Sequence, residues 1–543
     1  MARNITSLVS PMAMILLFFL SFLVLTTSAS SVESSFLQCF LKETLPGPAG
    51  AAPPQLLFTS NSTSYQSILQ SSSRNFRFIA SKTNQKPSVI VTATLQSHIS
   101  ASVACARKYG INLRTRSGGH DYEAMSYVSD STEPLVVVDL AAMRSVKVNV
   151  ASRRAWVQAG ATLGELYYAV FKKSGGKLGF PAGICPTVGV GGHFGGGGLG
   201  TLSRKYGTAA DNVVDATVVD VDGRVLDRAA MGEDMFWAIR GGGAASFGVV
   251  VAYKVRLVEV PPLVVAFNVN RNLKQNATKL VTRWQEVAPN FDKNLFMRIV
   301  AQTNGGSDGG NVGIQAVFNS LFLGNRSQLF TVMAKSFPEL GLRAEDCTEM
   351  NWLESVLFFN GMLDQGVESL LKRTSVPGVS FKAKSDYVTE PIGEQGWDKI
   401  WRFLMENKEE PLTMILEPYG GILSEISETA TPFPHRKGNL YNIQYYLWWM
   451  DQAGDAAVTR KHLEWMRKMY GFMAPFVSSN PRAAYYNYKD IDLGRNGAVA
   501  SYAEARAWGD KYFKNNFRRL AAVKGRVDPH NFFRNEQSVP PLL

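Results

Sequence analysis

The sequence predicts an α+β protein, and three observations support this fold class. The chain has 543 residues, of which 45% are hydrophobic and 19% are charged, as in an ordinary globular protein that can bury a substantial core. Strand-like and helix-like patterns alternate up to about residue 260. A second series of both patterns runs from 262 to about 475. We therefore expect two domains, although the length alone would allow up to four.

The N-terminus has the pattern of a secretory signal peptide over residues 1–30. Arg3 precedes an apolar run from Met12 to Leu25, and small residues follow at 27–30. The run is shorter than the roughly 20 residues that span a bilayer. We therefore expect a protein of the extracellular space or cell wall, with the vacuole as an alternative. The mature chain carries sequons compatible with N-glycosylation at Asn61, Asn276 and Asn325.

The overall charge is positive, at +12, from 57 Lys and Arg residues against 45 Asp and Glu residues. Such a balance favours anionic partners in general. The positive charge is dispersed along the chain, however, and secretion makes nucleic acid an unlikely partner. We expect neither a nucleic-acid nor a membrane partner.

The first domain opens with strands around one helix. Apolar Ile99, Val103 and Ala106 have helical spacing, and Gly110 ends that helix. The strands are predicted at Ser88–Ala93, Ile111–Arg116 and Leu135–Val138.

A second helix begins at a capping box and precedes a hairpin. Thr162 and Glu165 have the capping-box spacing, and the helix should stop at Gly175. Asp222-Gly223 separates two strand-like runs and therefore predicts a turn between Val213–Asp220 and Arg224–Leu226.

The middle region has its own strands and helices. Strands are predicted at Val264–Val269 and Asn442–Trp449, and helices at Thr278–Ala288 and Gly396–Glu406. The last segment is again rich in Gly, Asn and Arg, with one helical run over Tyr502–Val523.

Several familiar catalytic patterns are missing or lack their context. The chain has no His-Glu-x-x-His and no Cys-x-x-Cys, so we expect no metal site. Ser307 matches a nucleophile elbow, but no strand is predicted before its glycine-rich loop and no helix after it. The Gly-x-Gly-x-x-Gly at Gly195, Gly197 and Gly200 follows a Cys-Pro loop instead of opening a βαβ unit, which argues against a nicotinamide dinucleotide site.

Glycines and cysteines point to a different kind of ligand site. Residues 189–200 read Gly-Val-Gly-Gly-His-Phe-Gly-Gly-Gly-Gly-Leu-Gly, and such bare backbone suits an anionic, planar ligand. The four cysteines, Cys39, Cys105, Cys185 and Cys347, allow three pairings. If Cys185 is used elsewhere, one of the other three has no partner.

Six motifs together resemble the berberine bridge enzyme-like family. They occur in order and cover nearly the whole mature chain from about residue 36, a combination far more specific than any one motif. The motifs are Arg-Ser-Gly-Gly-His-Asp-Tyr-Glu over 116–123, Cys-Pro-Thr-Val-Gly-Val-Gly-Gly-His over 185–193, Gly-Glu-Asp-Met-Phe-Trp-Ala-Ile-Arg-Gly-Gly-Gly over 232–243, Phe-Pro-His-Arg over 433–436, Asn-Tyr-Lys-Asp-Ile-Asp-Leu-Gly over 487–494 and Asp-Pro-His-Asn-Phe-Phe-Arg-Asn-Glu-Gln-Ser over 528–538.

The resemblance implies an α+β fold of the vanillyl-alcohol-oxidase type (PCMH-type). Its FAD-binding domain would comprise residues 31–261 and 476–543, interrupted by an α+β substrate-binding domain over 262–475 that carries an antiparallel sheet over the flavin ring. The partners would be dioxygen and a small-molecule or oligosaccharide substrate, and we expect a monomer.

The resemblance also implies bicovalent FAD, with His120 attached to the flavin 8α carbon and Cys185 to C6. Imidazole and thiolate are the side chains able to add to an activated flavin ring. The usual disulfide of the family would join Cys39 to Cys105 and leave Cys347 as the odd thiol. Further cofactor contacts are implied for Arg116, Ser117, Gly118, Gly119, Gly189, Gly191, Gly192 and Asn487.

The family oxidises a C–H bond by hydride transfer to flavin N5, and the implied base is Tyr488. An ordinary tyrosine has a pKa of about 10, so it needs a lowered pKa or proton acceptance concerted with hydride transfer. His193 would stabilise charge on the reduced ring near N1. Val188 matches the position that controls oxygen access, and valine there favours an oxidase over a dehydrogenase.

Two departures from the family pattern bear on the substrate. Leu199 stands where a pocket tyrosine is common, and Asn442 where monolignol-oxidising members carry a lysine. Gln444 replaces the glutamate base of berberine bridge enzyme itself, which argues against alkaloid ring closure by that route. We therefore favour oxidation of a sugar or oligosaccharide at C1, with the pocket lined by Tyr122, Leu199, Asn442, Gln444 and Tyr486.

Two alternatives from other classes stay open. One is an oxidase of a specialised metabolite, such as an allylic alcohol, an alkaloid or an aromatic polyketide. The other is a flavin-loaded protein of the cell wall or of defence, whose turnover is incidental.

Overall fold

The computed structural model describes residues 32–44, 55–304, 313–374, 378–406, 412–450, 454–497 and 499–543. The predicted signal peptide at 1–30 and Ser307 of the glycine-rich loop lie outside these ranges. No helix within them is long and apolar enough to cross a membrane.

The first sheet has four strands: β1 (Leu57–Thr59), β2 (Val89–Thr92), β3 (Asn112–Arg116) and β4 (Leu135–Asp139). Their order is β1-β2-β4-β3, in which β2 and β3 lie parallel to β4 while β1 pairs antiparallel with β2. Of the parallel strands, β2 and β4 are largely apolar runs buried on both faces, and β3 is largely buried although it carries Arg114 and Arg116. The three strands predicted in this part of the sequence are therefore confirmed.

A five-stranded antiparallel sheet follows: β5 (Val146–Asn149), β6 (Arg154–Gln158), β8 (Val213–Val219), β9 (Val225–Leu226) and β10 (Val249–Arg256). Its order is β5-β6-β10-β8-β9, and β7 (Leu178–Gly179) pairs separately with β11 (Val258–Glu259). The hairpin predicted at Asp222-Gly223 is confirmed, because β8 and β9 pair antiparallel across it.

Helices pack around these two sheets. The predicted capping box is confirmed, since Thr162 Oγ1 accepts from the Glu165 backbone and Glu165 accepts from the Thr162 backbone. The helices are α1 (32–44), α2 (Tyr65–Ser71), α3 (Phe76–Ala80), α4 (Gln96–Lys108), α5 (Leu163–Ser174), α6 (Val190–Gly195), α7 (Ser203–Tyr206), α8 (Arg228–Ala238), α14 (Tyr502–Phe513) and α15 (Asn516–Val527).

The middle region forms one antiparallel sheet in the order β15-β12-β14-β13-β17-β18-β16. Its strands are β12 (Val264–Asn272), β13 (Leu295–Asn304), β14 (Gly313–Phe322), β15 (Cys347–Met350), β16 (Val379–Val388), β17 (Thr413–Pro418) and β18 (Tyr441–Met450). Five helices accompany it: α9 (Ala277–Val287), α10 (Arg326–Ser336), α11 (Trp352–Phe359), α12 (Glu394–Glu406) and α13 (Ala456–Phe472).

The two faces of this sheet differ, because side chains alternate along each strand. Ile443, Tyr445, Leu447 and Trp449 of β18 are buried in a core shared with α9, α12 and α13. The opposite face of β13, β17 and β18 is turned towards the N-terminal region. That face is therefore available to a ligand site.

The structure corrects the sequence-based prediction at two places. The helical run predicted over Tyr502–Val523 is two helices, α14 and α15, because Lys514 adopts φ 47° and breaks the first. The glycine-rich loop at 305–312 is preceded by strand β13 and followed by β14, whereas the sequence indicated no strand before it. A strand after the loop, in place of a helix, still argues against a nucleophile elbow.

The C-terminal segment packs onto the N-terminal sheets. Arg114 of β3 forms an ion pair with Glu536 at 3.0 Å, and the Val539 backbone donates to Ser246 Oγ at 3.1 Å. Apolar residues between 484 and 539 share one core with the two N-terminal sheets. The division into 31–261, 262–475 and 476–543 stays a prediction.

The implied disulfide is present, between Cys39 on α1 and Cys105 on α4. Cys185 and Cys347 have free thiols, and burial raises the pKa of Cys347 to about 11. The three sequon asparagines, Asn61, Asn276 and Asn325, are exposed.

Candidate active site

A cavity of about 820 Å³ lies between two glycine-rich loops of the N-terminal region and the open face of the seven-stranded sheet. We call residues 117–122 the first glycine loop and residues 183–193 the second glycine loop. Its size is in the upper part of the range of about 300–1,000 Å³ that cofactor and small-molecule sites have. Most of the predicted site residues line it from three segments, 117–122, 183–193 and 485–489. Strands β13, β17 and β18 close the other side.

Arg116 ends β3 and fixes the start of the first glycine loop. Its fully buried guanidinium donates to Asp139 Oδ2 at 2.8 Å and to the Leu69 and Ile68 carbonyls. Arg116 is not among the cavity-lining residues of the described chain. Arg116 thus positions the loop, and the cofactor contact implied for it stays a prediction.

The two glycine loops meet through their backbones. A Cβ atom on Gly118 would lie 2.3 Å from the Gly189 nitrogen, and one on Gly119, at φ +70°, would lie 1.5 Å from the Ser72 carbonyl oxygen. Only glycine fits at these two positions. The loops bring to the cavity wall Ser117, Gly118, Gly119, Gly189, Gly191 and Gly192.

His120 and Cys185 meet at one hydroxyl group. Thr187 Oγ1 lies 2.9 Å from His120 Nε2 and 3.7 Å from Cys185 Sγ. Burial, together with the charge of Arg74, lowers the pKa of His120 to about 3, so its imidazole is neutral at physiological pH. The neutral imidazole and the thiol lie at the same point of the cavity wall, and both are side chains that can form a covalent bond to a ring.

His193 lies on α6, where the second glycine loop becomes helical. Its Nε2 accepts a hydrogen bond from the Gly183 backbone at 2.9 Å, so Nδ1 carries the proton of the neutral ring. Burial lowers the pKa of His193 to about 4. Asn487 Nδ2 donates to the His193 carbonyl at 3.0 Å and fixes the position of the helix turn.

Two features of the cavity wall fit a large anionic cofactor such as FAD. Gly192 lines the cavity, and a Cβ atom there would meet no atom of the described residues within 4 Å beyond its chain neighbours and its own helix backbone. Lys489 Nζ is buried without a hydrogen-bond partner among the described residues, 3.8 Å from the centre of the Tyr486 ring. The Lys489 charge acts against the rise that burial causes in the pKa of Asp121, and its ammonium hydrogens are available to an anionic ligand.

Tyr488 lies at the side of the cavity formed by the sheet. Its hydroxyl donates to Glu417 Oε2 at 3.4 Å, and Arg298 Nη1 lies 3.8 Å from the other carboxylate oxygen. Burial and the Glu417 charge raise the pKa of Tyr488 well above its ordinary value, and Arg298 acts in the opposite direction. A tyrosine base needs either a lowered pKa or proton acceptance concerted with hydride transfer. The pKa of Tyr488 is not lowered in this site, but Glu417 is a carboxylate that can take the phenol proton.

Tyr122 and Gln444 form the adjacent polar wall. Gln444 Nε2 donates to the Tyr122 hydroxyl at 2.7 Å. The Tyr122 ring stacks on Tyr488, with centroids 5.7 Å apart and planes 5° apart. Hydroxyl, amide and carboxylate groups thus converge on one end of the cavity.

Val188, Leu199 and Tyr486 also line the cavity, as expected. Asn442 is an exception: it is fully buried opposite Glu417 in the sheet register and does not line the cavity described here. Both polar atoms of its side chain lack a hydrogen-bond partner within the described parts of the chain. Asn442 shares the sheet face of Glu417, Gln444 and Tyr446, and its contact with substrate stays a prediction.

Sequence reasoning missed Glu417, Arg298, Thr187 and Lys489. Glu417 and Arg298 lie on ordinary strands, β17 and β13, and only the pairing of these strands brings them to Tyr488. Thr187 and Lys489 stand inside two of the family motifs, and the signal that could have found them is their position: Thr187 is two residues after Cys185, and Lys489 directly follows Tyr488.

Family models match two segments of the chain. Residues 87–228 match the FAD binding domain, and residues 484–540 match the family described as berberine and berberine like. Berberine bridge enzyme-like Cyn d 4 of Cynodon dactylon is 49% identical over 518 residues, covering 95% of this chain and 94% of that protein. Monolignol oxidoreductase AtBBE-like 13 of Arabidopsis thaliana is 45% identical over 535 residues, covering 98% of each.

Solved structures match equally well. Wild-type Phl p 4.0202, named a glucose dehydrogenase, has a TM-score of 0.86 and 45% identity and covers 94% of this chain and 99% of that one. An isoleucine-to-valine variant of Phl p 4, named a glucose oxidase, gives the same TM-score, identity and coverage.

Proposed function

The chain belongs to the berberine bridge enzyme-like family, and from this premise we propose that it is a secreted oxidase that converts the C1 hydroxyl group of a sugar or oligosaccharide to the lactone and releases hydrogen peroxide. Its fold is the FAD-binding PCMH-type fold, and it is an FAD-dependent oxidoreductase. The observation that carries the proposal is the contact of Tyr488 with Glu417 beside the polar pair Tyr122–Gln444.

The residues around Tyr488 provide a route for one proton. FAD, when bound, accepts the hydride from the substrate carbon and passes both electrons to dioxygen. The Tyr488 oxygen takes the substrate hydroxyl proton while its own proton moves to the Glu417 carboxylate. Arg298 stays paired with Glu417 and keeps that carboxylate oriented towards the phenol.

The residues that would hold FAD belong to the glycine loops and to the C-terminal segment. We propose attachment at His120 and Cys185, both oriented by the Thr187 hydroxyl. Lys489 would pair with an anionic part of the cofactor, because its ammonium group lies in the cavity wall with no hydrogen-bond acceptor among the described residues. His193, neutral and held by Gly183, would donate through Nδ1 to charge that develops on the ring.

Dioxygen, rather than another acceptor, is the proposed oxidant. Val188 lines the cavity three residues after Cys185, at the position where the family pattern associates valine with oxygen use. The names of the Phl p 4 forms support this, since an isoleucine-to-valine exchange accompanies the change from glucose dehydrogenase to glucose oxidase.

A polyhydroxy substrate fits the polar end of the cavity better than an aromatic alcohol does. Glu417, Arg298 and Gln444 present hydrogen-bonding groups there, and a substrate hydroxyl can pair with each. Leu199 stands in place of the common pocket tyrosine, and Asn442 stands in place of the lysine that monolignol-oxidising members carry. Oxidation of a specialised metabolite is the second candidate, because a relative is named monolignol oxidoreductase.

Oxygen consumption by the holoenzyme tests the proposal. We expect turnover on cello-, xylo- or pectic oligosaccharides or their free sugars, with hydrogen peroxide formed in a 1:1 ratio to the oxygen used. Turnover on monolignols alone would replace the sugar assignment by the second candidate. Silence on every class would favour the third, a flavin-loaded wall or defence protein.

We also propose that the protein is a secreted, glycosylated monomer of the extracellular space or cell wall, with the vacuole as the alternative. The Cys39–Cys105 disulfide suits an oxidising compartment, and the three sequon asparagines are exposed. Enzymatic deglycosylation of the protein from plant tissue, followed by mass measurement, tests the sequons. Recovery of unglycosylated protein from the cytosol would contradict secretion.

A further inference from the structure

A mainly aromatic strip runs along the outer end of strands β18 and β16, from the buried Phe381 to the exposed Trp448 and Met450. We name it the outer strip and define it as Tyr446, Trp448 and Met450 of β18 with Phe381 and Val379 of β16. The strands pair so that Trp448 lies opposite Phe381 and Met450 opposite Val379. Directly paired residues share a face, so these side chains form one surface.

The exposure of this surface is unusual for its composition. Trp448 is 49% exposed and Met450 is 50% exposed, whereas their strand neighbour Trp449 is 5% exposed. Alternation along β18 places Trp449 in the helix-covered core and Trp448 on the opposite face. Trp448 and Met450 are the exposed end of an apolar patch that continues over Phe381 and Tyr446, and contiguous apolar patches of this kind mark binding surfaces.

The outer strip is continuous with the catalytic cavity. Tyr446, Phe381 and Val379 line both. Ring contacts link them to the catalytic base: Tyr488 to Tyr122 at 5.7 Å, Tyr122 to Phe381 at 5.2 Å and Phe381 to Tyr446 at 5.5 Å. A ligand seated at Tyr488 can therefore extend outward over aromatic rings without leaving the protein surface.

We infer that the outer strip binds the further, uncharged sugar units of an oligosaccharide whose end unit reacts at Tyr488. The inference rests on the proposed function and adds a substrate class, oligosaccharides in preference to monosaccharides. Sugar rings present C–H faces that pack on aromatic rings and a polar edge that stays hydrated.

The length and charge of the surface favour this occupant. Gln444 to Trp448 spans about 13 Å along the strand, which is more than one hexose occupies. None of the five side chains of the outer strip carries a formal charge. An acidic oligogalacturonide would find no pairing group on it, so the neutral cello- or xylo-oligosaccharides are the assigned class.

Steady-state kinetics on a chain-length series test this assignment. The holoenzyme and the variants Trp448→Ala, Trp448→Phe and Leu263→Ala are compared on glucose, cellobiose, cellotriose and cellotetraose by oxygen consumption. Leu263 is the matched control, because it is also 49% exposed but lies at the entry to β12, away from the cavity.

We expect the KM of the wild-type enzyme to fall with chain length. Trp448→Ala should raise the KM for the tri- and tetrasaccharide about five- to tenfold, as the loss of one aromatic contact predicts. The KM for glucose and every kcat should stay unchanged. Trp448→Phe keeps an aromatic ring and should retain most of the decrease of KM with chain length. Leu263→Ala should match the wild type.

Failure of this inference is distinguishable from failure of the proposed function. If sugars are oxidised but Trp448→Ala leaves the tetrasaccharide KM unchanged, the outer strip is not a subsite and the proposed function stands. A lower KM for oligogalacturonides than for neutral chains would overturn the assigned class.

If no sugar is oxidised, the proposed function fails. Calorimetric titration with cellotetraose then shows whether the outer strip binds an oligosaccharide. Binding that Trp448→Ala weakens would support the subsite, and no binding would overturn it. A wild-type dimer that Trp448→Ala converts to monomer would show that a second copy covers the surface, which also overturns the inference.

Discussion

Tyr488 donates its hydroxyl hydrogen to Glu417 Oε2 at 3.4 Å, so the proposed base already has an acceptor for its proton. The two residues are 71 positions apart in the sequence and meet because β17 faces the segment 485–489 across the cavity. Burial raises the pKa of Glu417, and the Arg298 charge acts against this. Proton acceptance by this carboxylate is therefore the step that pH should control.

Removing either member of the pair should slow turnover. We expect Tyr488→Phe to lower kcat by about 10²- to 10⁴-fold and Glu417→Gln by about 10²-fold, the range of general base contributions. Because the carboxylate is the active form, the wild-type rate should fall as the pH drops through the raised pKa of Glu417. Steady-state rates across pH check this.

The pH profile separates catalysis from simple damage to the pocket. In Glu417→Gln the acid limb should disappear, since the amide does not titrate. An unchanged acid limb in that variant would assign the titration to another group. Arg298→Lys keeps the positive charge and should retain most of the activity.

Covalent attachment should depend on the residues that meet at Thr187. Intact mass measurement of denatured protein should show FAD retained by His120→Ala and by Cys185→Ala, and lost only from the double variant. Thr187→Val should lower the bound fraction, because neither His120 nor Cys185 is then oriented by the hydroxyl. Thr201→Val, which alters the same cavity wall, serves as the control. FAD mass on the double variant would refute both attachment sites.

Oxygen reactivity should depend on the size of the side chain at Val188. Valine-to-isoleucine exchange adds a methylene group to the cavity wall beside the Cys185 loop. We expect the rate with dioxygen to fall about tenfold, equivalent to about 1.4 kcal/mol in the barrier. The rate with an artificial electron acceptor should stay unchanged. Equal losses with both acceptors would indicate a general disturbance of the site.

FAD binding should require the open space at Gly192. Gly192→Val places its methyl groups in the cavity, where no protein atom lies within 4 Å of the Cβ position. We expect a folded protein with unchanged helix content and little bound FAD, measured by absorbance of the purified protein. Gly471 is the matched control, a helical glycine of α13 with equally open surroundings but away from the cavity. Normal FAD content in Gly192→Val would show that the cofactor lies elsewhere.

The Arg114–Glu536 ion pair should stabilise the protein in a pH-dependent way. Burial alone would raise the pKa of Glu536, but the Arg114 guanidinium at 3.0 Å holds it below the ordinary value of 4.5. A depressed pKa in the folded state means that the stabilisation is present above about pH 4.5 and is lost as the pH falls through the lowered pKa.

Glu536→Gln should therefore lower the free energy of unfolding by about 3 kcal/mol at neutral pH, because it leaves a buried Arg114 unpaired. The difference from the wild type should shrink below pH 4.5, as followed by denaturant unfolding. The exposed Glu286→Gln serves as the control. A difference that stays constant down to acid pH would mean that Glu536 acts through packing alone.

The local structure of this protein could be predicted well wherever one strong local signal fixes it. The capping box at Thr162 and Glu165 and the turn at Asp222-Gly223 depend on neighbouring residues only, and both are confirmed. The run over Tyr502–Val523 was predicted as one helix because its apolar pattern continues across the break at Lys514. The spacing of apolar residues gives no sign of a single residue with a left-handed backbone conformation.

The sequence by itself determined the family, the order of the glycine loops and the residues His120, Cys185, His193 and Tyr488, because these stand in contiguous motifs. Only the tertiary structure decided how Tyr488 can lose its proton, that Arg116 supports a loop and that Asn442 is paired with Glu417 in the sheet. The reason is physical: Glu417, Arg298 and Trp448 become neighbours of the site through strand pairing, and register is set by packing of the whole sheet.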